Sequence, residues 1–141
     1  MTTHTTSVAL CIEGIQAEMR GERDEARALY ERAWEMRADD YDACVAAHYI
    51  ARQQPTPEDT LAWNLKSLKL ASTVSVDRIS GFLPSLYLNV GHSYEMLGDI
   101  ANAHEHYEHA ASHLDTLPAD AYGDLVRQGI AAGLERLLSA E

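Results

Sequence analysis

The chain has 141 residues, with 22 Asp and Glu against 11 Lys and Arg, which gives a formal net charge of −11. This length suits a single domain with its own core, and the negative charge argues against a nucleic-acid partner, whose phosphates would be repelled. No cationic start leads into an apolar run, and no apolar run approaches the roughly 20 residues that cross a bilayer. We therefore expect one cytoplasmic domain that makes no membrane contact.

Residues 7–40 predict a first pair of helices. Ser7 is the expected N-cap of a helix that stops at Arg20 and Gly21. The apolar residues of this helix recur at helical spacing, namely Val8, Leu10, Cys11, Ile12, Ile15 and Met19. The second helix is predicted from about 22 to 37, because acids fill its first turn and Arg37 its last, as the helix dipole favours.

Residues 41–74 predict a second pair. Asp39 and Asp40 offer caps for a helix from 41 to about 52, and Thr56 followed by Pro57 marks the start of the next one. Four leucines and Trp63 supply the apolar side of that next helix. Trp63 has two interpretations, packing between helices or an aromatic anchor for a ligand.

Residues 72–83 interrupt the pattern, because Ser and β-branched residues weaken helix formation there. Two paths are open. Either the next helix begins early, near Asp77, and overhangs its neighbours, or a loop bulges outward. Insertions in helical arrays often carry the binding face, so Arg78 and Phe82 are candidate partner contacts.

Residues 83–117 predict a third pair, and a last helix follows at about 118–139. The break between the paired helices falls at Gly98 and Asp99. The last helix is expected to cover the apolar end of the array, and Gly129 and Gly133 would let it lie close against the third pair.

A repeat connects these pairs. Glycine, alanine and tyrosine positions of the first pair recur 77 residues later, at Gly14, Ala26, Tyr30 and Ala33 and then at Gly91, Ala103, Tyr107 and Ala110. A weaker copy, with Asn64 at the aromatic position, lies 34 residues after the first. In this pattern the chain resembles the tetratricopeptide repeat (TPR) family, whose period is about 34 residues.

The resemblance implies an all-α fold, a right-handed superhelix of antiparallel helix pairs. Its repeats would span about 7–40, 41–74 (degenerate) and 84–117, followed by the capping helix. Such proteins bind peptides or helices of other proteins in a concave groove, so the resemblance implies a non-enzymatic adaptor or scaffold. By position, the groove would be lined by Val8, Cys11, Ile15, Glu18, Val45, Tyr49, Arg52, Leu88, His92 and Glu95.

The occupant of this groove is expected to be an amphipathic helix or an extended apolar segment, because most of the lining residues are apolar. The partner is thus another protein or peptide. A second copy of the chain is the alternative, which would make a homodimer and a self-associating structural protein.

Histidines raise a third hypothesis, a metal-binding or pH-responsive regulator. His106, His109 and His113 share one helix face because they are spaced three and four apart. One straight helix usually presents only two metal ligands, so a solvated or packing face is the simpler interpretation. We expect no cofactor and no catalysis, since no phosphate loop and no nucleophile–base spacing is present. Cys11 and Cys44 are expected to be reduced, with a disulfide as the alternative.

Overall fold

The computed structural model describes residues 6–140. In this part of the chain all regular secondary structure is helical, and there are no strands. Eight α-helices are present within it: α1 Ser7–Met19, α2 Arg23–Glu35, α3 Asp40–Ile50, α4 Pro57–Ala71, α5 Val76–Ile79, α6 Leu83–Met96, α7 Ile100–Ala111 and α8 Ala121–Ala140. The prediction of an all-α fold is confirmed. Within residues 6–140, no helix is both long enough and apolar enough to cross a membrane.

Side-chain caps explain where several helices start. The predicted cap of α4 is confirmed, because the Thr56 hydroxyl accepts from the backbone N–H of Asp59 at 3.1 Å. The prediction for α1 is wrong by one residue. Thr6 is the cap and accepts from the N–H of Ala9, whereas Ser7 is the first helical residue and donates to the carbonyl of Ala33 at 2.7 Å. Ser7 therefore joins α1 to α2.

The helices pack as antiparallel pairs. α1 packs on α2, α3 on α4, and α6 on α7. The links inside the first and third pairs turn at glycines with positive φ, Gly21 at 80° and Gly98 at 77°. Other residues adopt this conformation only with strain. Adjacent pairs then touch through α2 with α3 and through α4 with α6, and α8 packs on both α6 and α7. Chain neighbours are thus spatial neighbours throughout.

Two tyrosines fill the space between paired helices. Tyr30 of α2 lies against Gly14 of α1, where an added Cβ would stand 2.3 Å from the ring. Tyr107 of α7 lies between Gly91 of α6 and Gly133 of α8, where added Cβ atoms would stand 3.0 and 2.5 Å from its ring. Both rings are almost fully buried. The close approach predicted for α8 is confirmed by Gly133.

The first path proposed for residues 72–83 is right only in part, because a helix does begin near Asp77, at Val76, but it does not continue into the next long helix. The segment forms the separate one-turn helix α5, and α6 begins only at Leu83. Ile79 of α5 is buried in a cluster with Cys44 of α3 and Leu86 of α6. The extra residues therefore wedge between the second and third pairs, because a buried isoleucine stabilises the segment against the core instead of letting it bulge.

Trp63 belongs to the packing between helices. Its ring meets that of Trp34 edge-on at 5.3 Å, and both rings pack against the cluster formed by α1, α2 and α3. The interpretation of Trp63 as inter-helix packing is the one that these contacts support. Both cysteines are also in the core and free, so no disulfide joins them.

The Tyr107 contact can be tested with two glycines of α8. An alanine at either position gains about 1 kcal/mol of helix propensity, but at Gly133 it meets a ring held on several sides, whereas at Gly129 it meets the tip of Leu88 at 3.0 Å, which can turn away. Overpacking costs about 1–3 kcal/mol. We expect Gly133→Ala to be less stable than Gly129→Ala by that amount in urea unfolding followed by circular dichroism. Equal stabilities would show that α8 does not rest on Tyr107.

Candidate functional site

A continuous hollow runs along the side of the molecule formed by α1, α3, α6 and the start of α8, and we call it the groove. It consists of two adjoining cavities of about 360 and 590 Å³. Ile15, Tyr49 and Tyr122 line both cavities and so connect them. The remaining side chains of the first cavity are Val8, Cys11, Ile12, Tyr41, Val45, Arg78 and Phe82, and those of the second are Glu18, Met19, His48, Arg52, Ser85, Leu88, Asn89, Leu125 and Val126.

Most residues predicted to line a groove meet in this hollow. The first cavity collects Val8, Cys11, Ile15, Val45 and Tyr49, and the second adds Glu18, Arg52 and Leu88 to Ile15 and Tyr49. These side chains lie on one face of each helix because they are spaced three, four or seven apart.

Two predicted residues lie outside the groove. His92 lines a separate, more polar cavity of about 330 Å³ that also includes Asn64 and Ser93. Glu95 is held by Arg136 and Tyr107, with contacts on both of its carboxylate oxygens. The predicted groove therefore ends at Leu88 on α6.

The structure also adds aromatic residues that the repeat pattern did not assign to the groove. Tyr122 comes from the first turn of α8, where its hydroxyl hydrogen-bonds Ser85 of α6. Tyr41 lies at the start of α3. Phe82, which the sequence predicts as a candidate partner contact, packs edge-on against His48, with ring centroids 4.9 Å apart. Arg78 lies over the Tyr41 ring at 4.1 Å. The interruption in the repeats at residues 72–83 was the one signal that marked Arg78 and Phe82.

Bulky apolar side chains stand exposed around the groove. Ile12 is 52% exposed, Met19 83%, Leu125 69% and Tyr122 41%. Ile12 and Met19 lie on α1 away from its buried residues, which include Leu10 and Cys11. These exposed apolar residues lie next to the hollow and extend its apolar lining onto the surface.

His48 forms part of the floor of the groove and is neutral. Its Nδ1 accepts from the Asn89 side-chain amide at 3.2 Å, and Tyr49 and Phe82 pack edge-on against its ring. Burial, together with the charge of Arg52, lowers its pKa to about 4. Burial also raises the pKa of the Cys11 thiol to about 12, with Asp42 adding to the effect. At neutral pH the floor therefore carries an uncharged imidazole and an unionised thiol, neither of which is an activated nucleophile.

A Tyr–Glu–Arg hydrogen-bond network borders the groove at Glu18. Glu18 accepts from the Tyr30 hydroxyl at 2.5 Å and from Arg52 at 2.9 and 3.2 Å. The same arrangement recurs at Glu95, which accepts from Tyr107 at 2.7 Å and from Arg136 at 2.9 and 3.0 Å. Each network ties two paired helices to a later segment, which is the 3-10 turn directly after α3 for Arg52 and α8 for Arg136. Arg52 therefore stabilises the fold through Glu18 and also lines the groove.

The histidine face of α7 packs on tyrosines. The rings of His109 and His113 stack on Tyr87 of α6, with centroids 5.2 and 5.6 Å away. The Nδ1–H of His106 donates to the Asn102 carbonyl of its own helix at 2.8 Å, and the His106 ring lies 5.2 Å from the ring of Tyr94. Among the described residues, no group of three His, Cys, Asp or Glu side chains is placed to hold a metal ion. His109 is exposed and the other two are half-buried, so these histidines pack on the tyrosines of α6 at the surface.

Comparison with protein-family models and with curated protein sequences gave no match to this chain.

The Glu95 network predicts a pH-dependent contribution to stability. The hydrogen bond from Arg136 lowers the pKa of Glu95 below 4.5 despite partial burial. A carboxylate with a lowered folded pKa stabilises the fold above its unfolded pKa, and that contribution is lost as the pH falls through the folded value. We expect Glu95→Gln to reduce the free energy of unfolding by about 1–3 kcal/mol at pH 7, the usual value of hydrogen bonds to charged groups, and the difference from the parent to narrow below pH 4.5.

The matched control is Glu105→Gln, an exposed carboxylate on α7 that forms no ion pair with the described residues. Urea unfolding at a series of pH values between 7 and 3.5 measures both variants. A deficit of Glu95→Gln that stays constant over this range would contradict the charge-based account.

Proposed function

We propose that this chain is a non-enzymatic protein-interaction module of the TPR type, which binds an apolar peptide or helix of another protein in the groove. The observation that carries the proposal is the ring of exposed bulky side chains, among them Ile12, Met19 and Leu125, around a hollow with a largely apolar lining. Leaving such side chains in water is unfavourable, and a partner that covers them gains about 25 cal/mol for each Å² of apolar surface removed.

The fold class of the proposal rests on the repeated contacts between helices. The Tyr–Gly contact and the hydrogen bond from that tyrosine to a glutamate occur in the first pair and again in the third, at the same places in the helices. An arginine from a later segment binds each glutamate. A right-handed superhelix is the arrangement that stacked pairs of this kind form in TPR proteins. The first helix of each pair would then line the concave side, which agrees with the contributions of α1, α3 and α6 to the groove.

The shape of the groove favours a segment with side chains of two kinds. The first cavity offers aliphatic and aromatic walls from Val8, Val45 and Phe82, and it suits one or two bulky apolar side chains. The second cavity has Glu18, His48 and Asn89 among its lining residues and suits a polar neighbour. An amphipathic helix presents such a sequence of groups along one face.

Two leucines of α8 provide a matched test. Leu125 is 69% exposed and lines the groove, whereas Leu138 is 71% exposed and lies outside the groove lining. Peptides of 16 residues would be selected from a phage-displayed random library on the parent chain, synthesised, and measured by fluorescence anisotropy. We expect selected peptides to be rich in bulky apolar residues and to bind Leu125→Glu at least tenfold more weakly, a loss of about 1.4 kcal/mol or more, because the new carboxylate would be desolvated.

Leu138→Glu is the matched control, because it adds the same negative charge to the same helix outside the groove. It should bind the selected peptides as tightly as the parent chain does. Selected peptides that bind Leu125→Glu and the parent equally would place the binding site elsewhere. If a second copy of the chain fills the groove instead, the parent dimerises in sedimentation velocity and Leu125→Glu is monomeric, which would replace a foreign partner by self-association.

A further inference from the structure

A second cleft lies on the other side of α3 from the groove. It has a volume of about 500 Å³ and is bounded by the end of α2, the start of α3 and the outer face of α4. Ala43 of α3 lines it, and Ala43 points away from the side of α3 that carries Tyr41 and Val45 into the groove. The two hollows are therefore separate surfaces.

The cleft holds an unusual share of the positive charge. Lys66 and Lys69 are the only lysines of the chain, and both line this cleft together with Arg37. None of the three forms an ion pair with a described carboxylate, whereas most arginines of the described residues do. Three uncompensated cations thus face one cavity in a strongly acidic chain.

The carboxylates at the rim of the cleft are already engaged. Asp39 accepts from the N–H of Asp42 at 2.8 Å and from Arg78 at 3.3 Å, which compensates its charge. Asp40 accepts from the Thr73 hydroxyl at 2.6 Å. Asp40 keeps its charge, because the Thr73 hydroxyl is a neutral donor, but neither rim acid forms an ion pair with Lys66, Lys69 or Arg37.

Aromatic rings hold the cations in place. The guanidinium carbon of Arg37 lies 4.2 Å from the centroid of the Trp34 ring, and Arg37 also donates to the Trp34 carbonyl at 2.7 Å. The Lys66 ammonium lies 5.3 Å from the Trp34 centroid and 4.8 Å from that of Trp63. Cations positioned over rings lose less conformational freedom when they bind a ligand. Trp34 and Leu70 add an apolar floor.

We propose that this cleft binds an acidic segment of a partner protein, with an Asp or Glu carboxylate against Lys66, Lys69 and Arg37 and a neighbouring apolar side chain on Trp34 and Leu70. Charge complementarity selects the carboxylate, and the apolar floor selects the neighbour. A nucleic acid would bring many phosphates into the field of a chain of net charge −11. A single carboxylate meets the cations at a far smaller cost.

The chain carries its own reporter for the test. Its only tryptophans, Trp34 and Trp63, lie beside Lys66, so ligand binding at the cleft changes the surroundings of both indoles. An acetylated and amidated peptide with a single Glu flanked by Leu and Ser, free of Trp and Tyr, is titrated into the full chain at low salt, and tryptophan emission is recorded. We expect a saturable change in emission, and a peptide with Gln in place of the Glu should cause none.

The decisive comparison uses two double variants with the same net charge. Lys66→Gln/Lys69→Gln removes the cleft cations, and Arg23→Gln/Arg32→Gln removes two exposed, unpaired cations of α2 outside the cleft. Circular dichroism melting confirms that both variants fold. We expect the dissociation constant of the Glu peptide to rise at least tenfold in the lysine variant and to change less than twofold in the arginine variant.

Three results would overturn the proposal. Equal weakening in both double variants would reduce the effect to net charge. Equal binding of the Gln peptide would remove the role of the carboxylate. Inorganic phosphate that binds as tightly as the Glu peptide would make the cleft a general anion site with no preference for an acidic segment. The test is independent of the groove, since Leu125→Glu leaves every residue of the cleft unchanged.

Discussion

The structure depends on large rings that fit only where a neighbouring helix has no side chain. Tyr30 occupies the space above Gly14, and Tyr107 occupies the space between Gly91 and Gly133. Each hydroxyl then donates to a glutamate that also binds an arginine from a later segment, Arg52 just after α3 or Arg136 in α8. The two tyrosines thereby set the distance between paired helices and help to position the segment that follows each pair. The groove exists because these contacts hold the first helices of the pairs side by side.

The packing of tyrosine on glycine could be predicted from the sequence, whereas the lining of the groove could be predicted only in part. Glycine and tyrosine recur at a fixed spacing, which predicts helix pairs and most groove residues on α1 and α3, because a helix face follows directly from spacing. Tyr122 could not be placed in the groove, since its position depends on how far α8 closes over α6. The repeat pattern predicts Glu95 in the groove lining, whereas in the structure Arg136, 41 residues later, binds its carboxylate. Contacts between distant segments leave no periodic signal.

The interruption between the second and third pairs shows a different limit. Its Ser and β-branched residues correctly indicated a break in regular helix, but the outcome depended on Ile79, whose burial against Cys44 and Leu86 pulls the segment inward as a one-turn helix. Propensity describes the segment alone, and tertiary packing decided its path. Arg78 and Phe82 reach the groove as a result of that inward path.

The placement of the lysines has a chemical consequence. Because Lys66 and Lys69 are the only lysines in the chain, every reagent or enzyme that modifies side-chain amines acts within a single turn of α4. Acetylation there would remove two of the three positive charges of the cleft and would leave the groove on the far side of α3 unchanged. Coupling to a solid surface through lysine would likewise orient the molecule. The cleft would face the support, and the groove would stay open to solvent.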